Sequence, residues 1–294
     1  MTRMPGAQIA RYRPHQYLTE PLVRFVVTPI ANWLATIGQV VVFVWTAVRY
    51  MPAAVRWYPK ETLRILNYLA WGRGAIVVDG GIVSVMLLIG FGMGAMVSIE
   101  AFAALDLFGF GALTGVVGGM ASVREMGPLA AGIAFAAQAG CRMTAEVGAM
   151  RVSEEIDAIE SLGIRAVPFV VSTRLLSGMA CVMPAYLATL LLGFVVSRML
   201  VTVVNSQSEG TYNHYFEQFL DPAALGFSVL KAVVFCGAVT LIHCYYGFFT
   251  TGGPAGVGVA SGRAIRASLI MIIVLDLTLS IMIWGLFPSY AFRG

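Results

Sequence analysis

The chain alternates between long apolar runs and short polar segments, and this alternation predicts its architecture. Five apolar runs are long enough to cross a bilayer as helices. We predict spans at about Ile76 to Ile99, Leu107 to Cys141, Val167 to Ser197, Ala223 to Thr250 and Ala264 to Phe287. Arg124 and Glu125 interrupt the second run, and Gly127 and Pro128 follow them, so we predict one long helix bent at this point.

A further apolar run, Phe25 to Val48, precedes these spans and has basic residues on both sides. Equally basic flanks favour placing both ends in the cytoplasm, which suits an interfacial or re-entrant helix better than a full span. Trp33 and Trp45 suit a membrane interface. We therefore predict a cytoplasmic N-terminal segment over residues 1–74 that contains this helix, followed by a membrane domain over residues 75–294.

Composition and charge support this topology. The chain is 59% hydrophobic and 12% charged, with a mean hydropathy of +0.82, whereas soluble domains are about a quarter charged. The predicted spans place 15 of the 19 basic residues on one side of the membrane, which the positive-inside rule identifies as the cytoplasm. We predict an all-α, multi-pass protein of the plasma (inner) membrane, with a cytoplasmic N-terminus and an extracytoplasmic C-terminus.

A polar segment between the second and third spans carries a concentration of acidic residues. Ser153 is a favoured N-cap, Glu154 and Glu155 place negative charge on a first helical turn, and Gly163 is a natural terminator. The helix would have an apolar stripe formed by Ile156, Ile159 and Leu162. Its remaining surface would be acidic, with Glu154, Glu155, Asp157 and Glu160. This pattern predicts a short cytoplasmic helix that docks against another protein.

Four ionisable residues lie inside otherwise apolar spans: Arg124, Glu125, Lys231 and Asp276. Each would be costly alone in lipid, and two charges of each sign could neutralise one another in the bundle interior. One interpretation is a buried ion-pair network that fixes how the helices pack. The other is a polar patch along a translocation path.

Other chemical motifs are mostly absent from the sequence. Neither of the two lysines, Lys60 and Lys231, closes a phosphate-binding loop, and no cluster of His, Cys and carboxylate residues has metal-ligand spacing. The glycine-rich stretch Thr251 to Gly262 is predicted as a tight cytoplasmic turn. The Gly90 to Gly94 pair allows close helix approach, within the chain or across a dimer. We expect no catalytic activity, no cofactor in this chain and no nucleic-acid partner.

Three short runs resemble the centre of the MlaE/YrbE permeases of ABC lipid transporters. They are Arg124 to Pro128, Ala145 to Val152 and Glu154 to Ala158. A later run, Ser228 to Gly258, looks like actinobacterial YrbE members that serve Mce systems, nearer to their second, or B, type. The chain departs from many relatives at Ala137, Gln138 and Ala139, where those have a Gly-Arg pair.

This resemblance implies a complex and a function. The acidic helix would be the coupling helix that docks in a cytoplasmic ABC ATPase, with ATP and Mg on that partner. Its contact residues would be Glu154, Glu155, Asp157 and Ala158, with Glu146 and Arg151 in the lead-in. The other partners implied are a second YrbE-type permease chain, Mce lipid-binding proteins and membrane lipids. The function implied is import of fatty acids, mycolic acids or sterols, with the four intramembrane charges beside the lipid path.

Two alternatives from other classes remain open on the sequence alone. An ion-coupled secondary carrier would use Glu125 and Asp276 as a proton relay. A non-transporting scaffold of an envelope complex would need neither those carboxylates nor the acidic helix for uptake.

Overall fold

The structure, a computed structural model, describes residues 28–72 and 80–285. The chain divides into two compact units, residues 1–45 and residues 46–294. The described part of the first unit lies within helix α1 (Thr28–Arg49), on which Trp33 and Trp45 are both exposed. Whether this helix lies in the interface or spans the membrane stays a prediction, as does the division at residue 74.

All regular elements of the described residues are helices, which confirms the predicted all-α class. Gly72 and Gly80 add one isolated antiparallel bridge. The α-helices that follow α1 are α2 (Met51–Trp57), α3 (Pro59–Trp71), α4 (Ile82–Asp106), α5 (Thr114–Ala121), α6 (Gly127–Phe135), α7 (Cys141–Val152), α8 (Glu155–Ser161), α9 (Thr173–Met199), α10 (Glu209–Phe219), α11 (Pro222–Phe248) and α12 (Gly253–Ser280). The 3₁₀ turn is Gly111–Leu113, and the π-helical segments are Ser122–Met126, Ala136–Gly140, Val167–Ser172, Leu200–Val204 and Ile281–Gly285.

Four of these helical runs are long and apolar enough to cross a membrane: Ile82–Asp106, Val167–Val204, Pro222–Phe248 and Gly253–Gly285. They correspond to the first, third, fourth and fifth predicted spans. The second predicted span is helical without a break from Thr114 to Val152. It is long enough to cross a membrane, but Arg124, Glu125 and Gln138 make it more polar than the four helical runs named above. The bent pair Trp33–Arg49 and Met51–Trp57 passes the same test when taken as one span.

Two predicted boundaries are wrong. Glu100 and Asp106 lie in the last turns of α4 rather than beyond the predicted span end at Ile99, because a helix longer than the hydrocarbon core can carry carboxylates beyond it. The predicted glycine-rich turn is largely helix, since α12 begins at Gly253. Gly252 and Gly253, at φ +88° and +68°, make the turn in the left-handed region, and the later glycines Gly256, Gly258 and Gly262 lie within the helix.

Helix α9 lies at the centre of the second unit and packs along α3, α4 and α11. The Gly90 to Gly94 pair makes the contact with α4 possible. A Cβ at Gly90 would lie 2.5 Å from the carbonyl oxygen of Thr189, and a Cβ at Gly94 would lie 2.2 Å from that of Gly193. The small-residue pair therefore packs within the chain.

The polar stretch after α9 folds back on the bundle as helix α10. Tyr212 anchors it, because its buried hydroxyl lies 3.0 Å from Ser197 Oγ. Burial raises the pKa of Tyr212, so the hydroxyl stays protonated and available for this hydrogen bond.

Candidate functional site: an intramembrane ion cluster and an acidic helix

The four intramembrane charges form one cluster around Lys231. The Lys231 side chain is fully buried, and its Nζ lies 2.6 Å from Asp276 Oδ1 and 3.3 Å from Glu125 Oε2. Arg124 takes part through its backbone carbonyl, which accepts a hydrogen bond from Lys231 Nζ at 2.9 Å. The predicted pairing is therefore seen for Lys231, Glu125 and Asp276, whereas among the described residues the Arg124 side chain forms no ion pair. Lys231 on α11 ties together the second span and α12.

Pro128 leaves a backbone carbonyl without its helical hydrogen bond, and Lys231 supplies a donor to that carbonyl. In an α-helix the N–H of residue 128 would bond the carbonyl of Arg124, and proline has no N–H. The preceding turn is π-helical, and the N–H of Gly127 bonds Ser122 rather than Val123. Two carbonyls thus lose their helical partners inside an apolar bundle, where each would cost free energy if left unpaired. Ser228 Oγ bonds the Val123 carbonyl at 2.6 Å, and Lys231 bonds that of Arg124. A π-helical turn therefore lies just before Gly127 and Pro128, and the bend predicted at these two residues stays a prediction.

Sequence reasoning missed two members of the cluster, Ser280 and Trp284. The Ser280 hydroxyl accepts from Lys231 Nζ at 2.8 Å and donates to Glu125 Oε1 at 2.8 Å. The Trp284 ring lies 5.0 Å from Lys231 Nζ and 5.7 Å from the Arg124 guanidinium carbon, within the range of a cation–π interaction. Both residues follow Asp276 at intervals of four, which places them on one helical face, and this spacing is the signal that could have identified them.

The members of the cluster differ in how far their side chains are exposed. Lys231 is fully buried and the Asp276 side chain is 13% exposed, whereas the Glu125 side chain is 45% exposed. The buried part has the geometry of an ion-pair network that fixes helix packing. Glu125 gives the same cluster a polar edge at the protein surface, so both interpretations from the sequence keep a physical basis.

The acidic segment forms helix α8, with a different beginning from the one predicted. Ser153 ends α7 rather than capping α8, and the N-cap position is Glu154, in the left-handed region at φ 60°. The tight corner between two helices requires this conformation, which sequence patterns do not reveal. The helix ends as predicted at Gly163, where φ is +78°. The N–H of Gly163 bonds Glu160 and the N–H of Ile164 bonds Ile159, which is a Schellman motif.

The acidic face of α8 is exposed. Glu154, Glu155, Asp157 and Ala158 all lie at the surface, as does Glu160. The apolar stripe is shorter than predicted, because Ile156 is buried while Leu162 is 77% exposed. Arg151, at the end of α7, donates to Asp157 Oδ1 at 2.7 Å and fixes the corner. The structure therefore brings five of the six predicted coupling residues together.

Glu146, the sixth, lies apart from this face. It sits on α7, and its Oε2 lies 3.5 Å from an Arg174 guanidinium nitrogen on α9. Arg174 is itself nearly buried, with an 11% exposed side chain. The sequence analysis did not predict this pair.

A groove of about 480 Å³ adjoins the end of α8. Glu160, Gly163, Arg165 and Tyr50 line it, and the Arg165 guanidinium carbon lies 5.4 Å from the centre of the Tyr50 ring. Within residues 28–72 and 80–285, no group of three or more His, Cys, Asp or Glu side chains could hold a metal ion. Glu160 belongs both to this groove and to the acidic face of α8.

Comparison with known proteins places this architecture in a family. The family described as permease MlaE matches residues 73–282. A probable ABC transporter permease protein of Rickettsia bellii is 29% identical over 188 residues, which is 63% of this chain and 71% of that protein. A probable ABC transporter permease protein of Synechocystis sp. is 31% identical over 190 residues, 61% of this chain and 68% of the relative.

A third relative carries a more specific name. The intermembrane phospholipid transport system permease protein MlaE of Haemophilus influenzae is 22% identical over 205 residues, 68% of this chain and 77% of that protein. The family match over residues 73–282 includes the acidic helix and every member of the ion cluster except Trp284. On this evidence the chain is a multi-pass membrane protein of the MlaE permease family, and so a permease of an ABC-type transporter.

Proposed function

We propose that this chain is the membrane permease subunit of an Mce-type ABC lipid transporter, and that it couples cytoplasmic ATP hydrolysis to the import of hydrophobic lipids. The observation that carries the proposal is helix α8, which presents exposed carboxylates directly after the corner at the end of α7. Among the described residues the acidic face has one ion pair, between Asp157 and Arg151, and its other exposed carboxylates are suited to a basic groove on a partner. In this proposal ATP and Mg bind to the ATPase, not to this chain.

The proposed complex has two permease chains, this one and a second YrbE-type chain, above two ATPase subunits. Mce proteins would continue the lipid path outside the membrane. The substrates would be fatty acids, mycolic acids or sterols. The name of the Haemophilus influenzae relative, with its reference to phospholipid transport, supports a lipid as cargo. Import rather than export rests on the resemblance to Mce systems.

The four intramembrane charges would border the lipid path in this proposal. Glu125 supports this role because it is the exposed edge of the cluster. The ion-coupled alternative gains less support, since Glu125 and Asp276 both contact Lys231 and a proton relay needs carboxylates free to exchange protons with water. The topology proposed has the N-terminus and α8 in the cytoplasm.

The replacement Glu155→Arg tests the role of α8. We expect the variant to lose the ATPase, because a reversed charge in a docking site leaves its partner groups unpaired, at about 2 to 5 kcal/mol. The measurement is affinity purification of the tagged chain from its native membrane, with co-purifying proteins and lipids identified by mass spectrometry. Wild-type protein should retain a P-loop ATPase, a second permease chain and Mce proteins.

Glu217→Arg is the matched control, since Glu217 is an exposed acidic residue of α10 at the opposite end of the bundle. This variant should keep the ATPase. If Glu155→Arg retained the ATPase and lipid uptake, α8 would not be the docking helix.

A further inference from the structure

We infer that Arg174 is a positioning residue that locks the corner carrying α8 to the central helix α9, so that movement of α8 is transmitted to the membrane bundle. The inference rests on the proposed function, because it assigns the route by which ATPase motion enters the permease. Arg174 does not touch the partner itself in this scheme. It acts through Glu146 and α7.

The contacts of Arg174 join two helices. One guanidinium nitrogen donates to the carbonyl of Val170, one turn earlier, at 2.9 Å, which fixes the side chain against its own helix. The other lies 3.5 Å from Glu146 Oε2 and 3.9 Å from Met150 Sδ, both on α7. Met150 immediately precedes Arg151, which holds Asp157 of α8. The Arg174–Glu146 pair joins α9 to α7, and the Arg151–Asp157 pair joins the end of α7 to α8. Through these two pairs, α9 is connected to the acidic helix.

The same end of α9 also holds the connector helices. Ser172 Oγ donates to the carbonyl of Ala47 at 2.8 Å, and Ser177 Oγ donates to that of Thr62 at 2.8 Å. Ser172, Arg174 and Ser177 thus contact α1, α7 and α3 respectively, and all three lie within a stretch of six residues. A displacement of α7 passed to Arg174 would thus move α9 together with α1 at Ala47 and α3 at Thr62.

Energetics favour a positioning role over simple stabilisation. A nearly buried arginine loses most of its hydration, and such a pair often contributes no more stability than apolar residues of the same size. Its best-supported use is to select one packing register among several. Arg174 Nε has no hydrogen-bond partner in the described part of the chain, so the side chain is not fully satisfied, although it fixes α7 relative to α9.

The test measures coupling rather than activity alone. Wild-type chain and Arg174→Gln are purified with their ATPase and reconstituted, and lipid moved and ATP hydrolysed are recorded together. We expect Arg174→Gln to keep the ATPase bound but to move roughly tenfold less lipid per ATP, within the 5- to 150-fold range usual for coupling between sites. Arg174→Lys should recover part of the ratio, because it keeps the charge but not the two-pronged contact.

Arg198→Gln is the matched control. Arg198 lies on the same helix, at its other end, and pairs with Glu209 in an exposed ion pair. Its replacement should leave the ratio unchanged. If Arg174→Gln does not accumulate, Glu146→Gln decides, because it removes the charge from the other side of the same pair: a normal ratio in a folded protein overturns the inference.

The outcomes separate the inference from the proposed function. If Arg174→Gln binds the ATPase and couples as wild type does, the inference is wrong and the proposed function stands. If the wild-type chain itself retains no ATPase, the proposed function fails. A loss of ATPase binding in Arg174→Gln would also contradict the inference, since the docking face would then depend on Arg174 directly.

Discussion

The ion cluster around Lys231 and the acidic helix α8 differ in the burial and pairing of their charges. In the cluster, Lys231 contacts two carboxylates, a hydroxyl and a backbone carbonyl, and its side chain is fully buried. On α8, Glu154, Glu155 and Glu160 are exposed, and Asp157 has one exposed basic partner. Lys231 and its two carboxylates are paired within the chain, whereas most carboxylates of α8 can interact with water or with a partner.

The difference separates residues that hold the fold from residues that act outside it. Removing one member of a buried pair leaves the other charge uncompensated, which is costly. Removing an exposed carboxylate changes stability little, because solvent screens it. We therefore expect replacements in the cluster to change the free energy of unfolding, and replacements on α8 to change binding. The following predictions test that division in order of expected size.

Lys231→Met should have the largest effect. It leaves Asp276 and Glu125 without their shared cation and the Arg124 carbonyl without its donor. We expect a loss of about 3 to 5 kcal/mol of folding stability, typical of a broken buried pair. The measurement is the thermal unfolding midpoint in detergent, together with the amount of folded protein in the membrane.

Lys60→Met provides the control for this replacement. Lys60 is the other lysine of the chain and lies exposed on α3. Its replacement should shift the midpoint little. Equal behaviour of the two variants would show that the cluster does not stabilise the fold.

Ser228→Ala should have an intermediate effect on stability. It removes the hydroxyl that bonds the Val123 carbonyl at 2.6 Å and contacts the Tyr186 hydroxyl. An unpaired buried polar group costs about 1 to 3 kcal/mol, and we expect destabilisation of this size by the same thermal measurement. Ser161→Ala is the control, because Ser161 is exposed and bonds its own helix. A destabilisation no larger than that of Ser161→Ala would mean that water or another group satisfies Val123.

Asp157→Asn should have the smallest effect on stability and a clear effect on binding. Its ion pair with Arg151 is exposed on both sides, and such pairs contribute about 0 to 1 kcal/mol. We expect an unchanged midpoint and weaker ATPase capture in the affinity purification described above. Glu209→Gln, which breaks a similarly exposed pair with Arg198, should change neither quantity. A strongly destabilised Asp157→Asn would place α8 among the structural elements.

Particular residues show how far sequence patterns reach. The apolar runs identified the four long helices, because hydrophobicity along the chain is a local property. Gly163 was identified as a helix end, since only a residue tolerant of positive φ ends a helix in this way. Ser153 was misassigned as a cap, because the corner between α7 and α8 is set by how those helices pack and places Glu154 in the left-handed region instead. The extent of the glycine-rich turn was wrong for a similar reason, since Gly148 of α7 packs on Val257 of α12 and favours continued helix there.

The sequence by itself determined that this is an all-α membrane protein with charges buried in its spans and an acidic helix between two of them. These features follow from composition and periodicity, which need no knowledge of neighbours in space. The tertiary structure alone decided that Lys231 replaces the hydrogen bonding lost at Pro128, that Ser280 and Trp284 complete the cluster, and that Glu146 pairs with Arg174 rather than joining α8. Such pairings join residues up to 155 positions apart, and their energies depend on distances that appear when the helices pack.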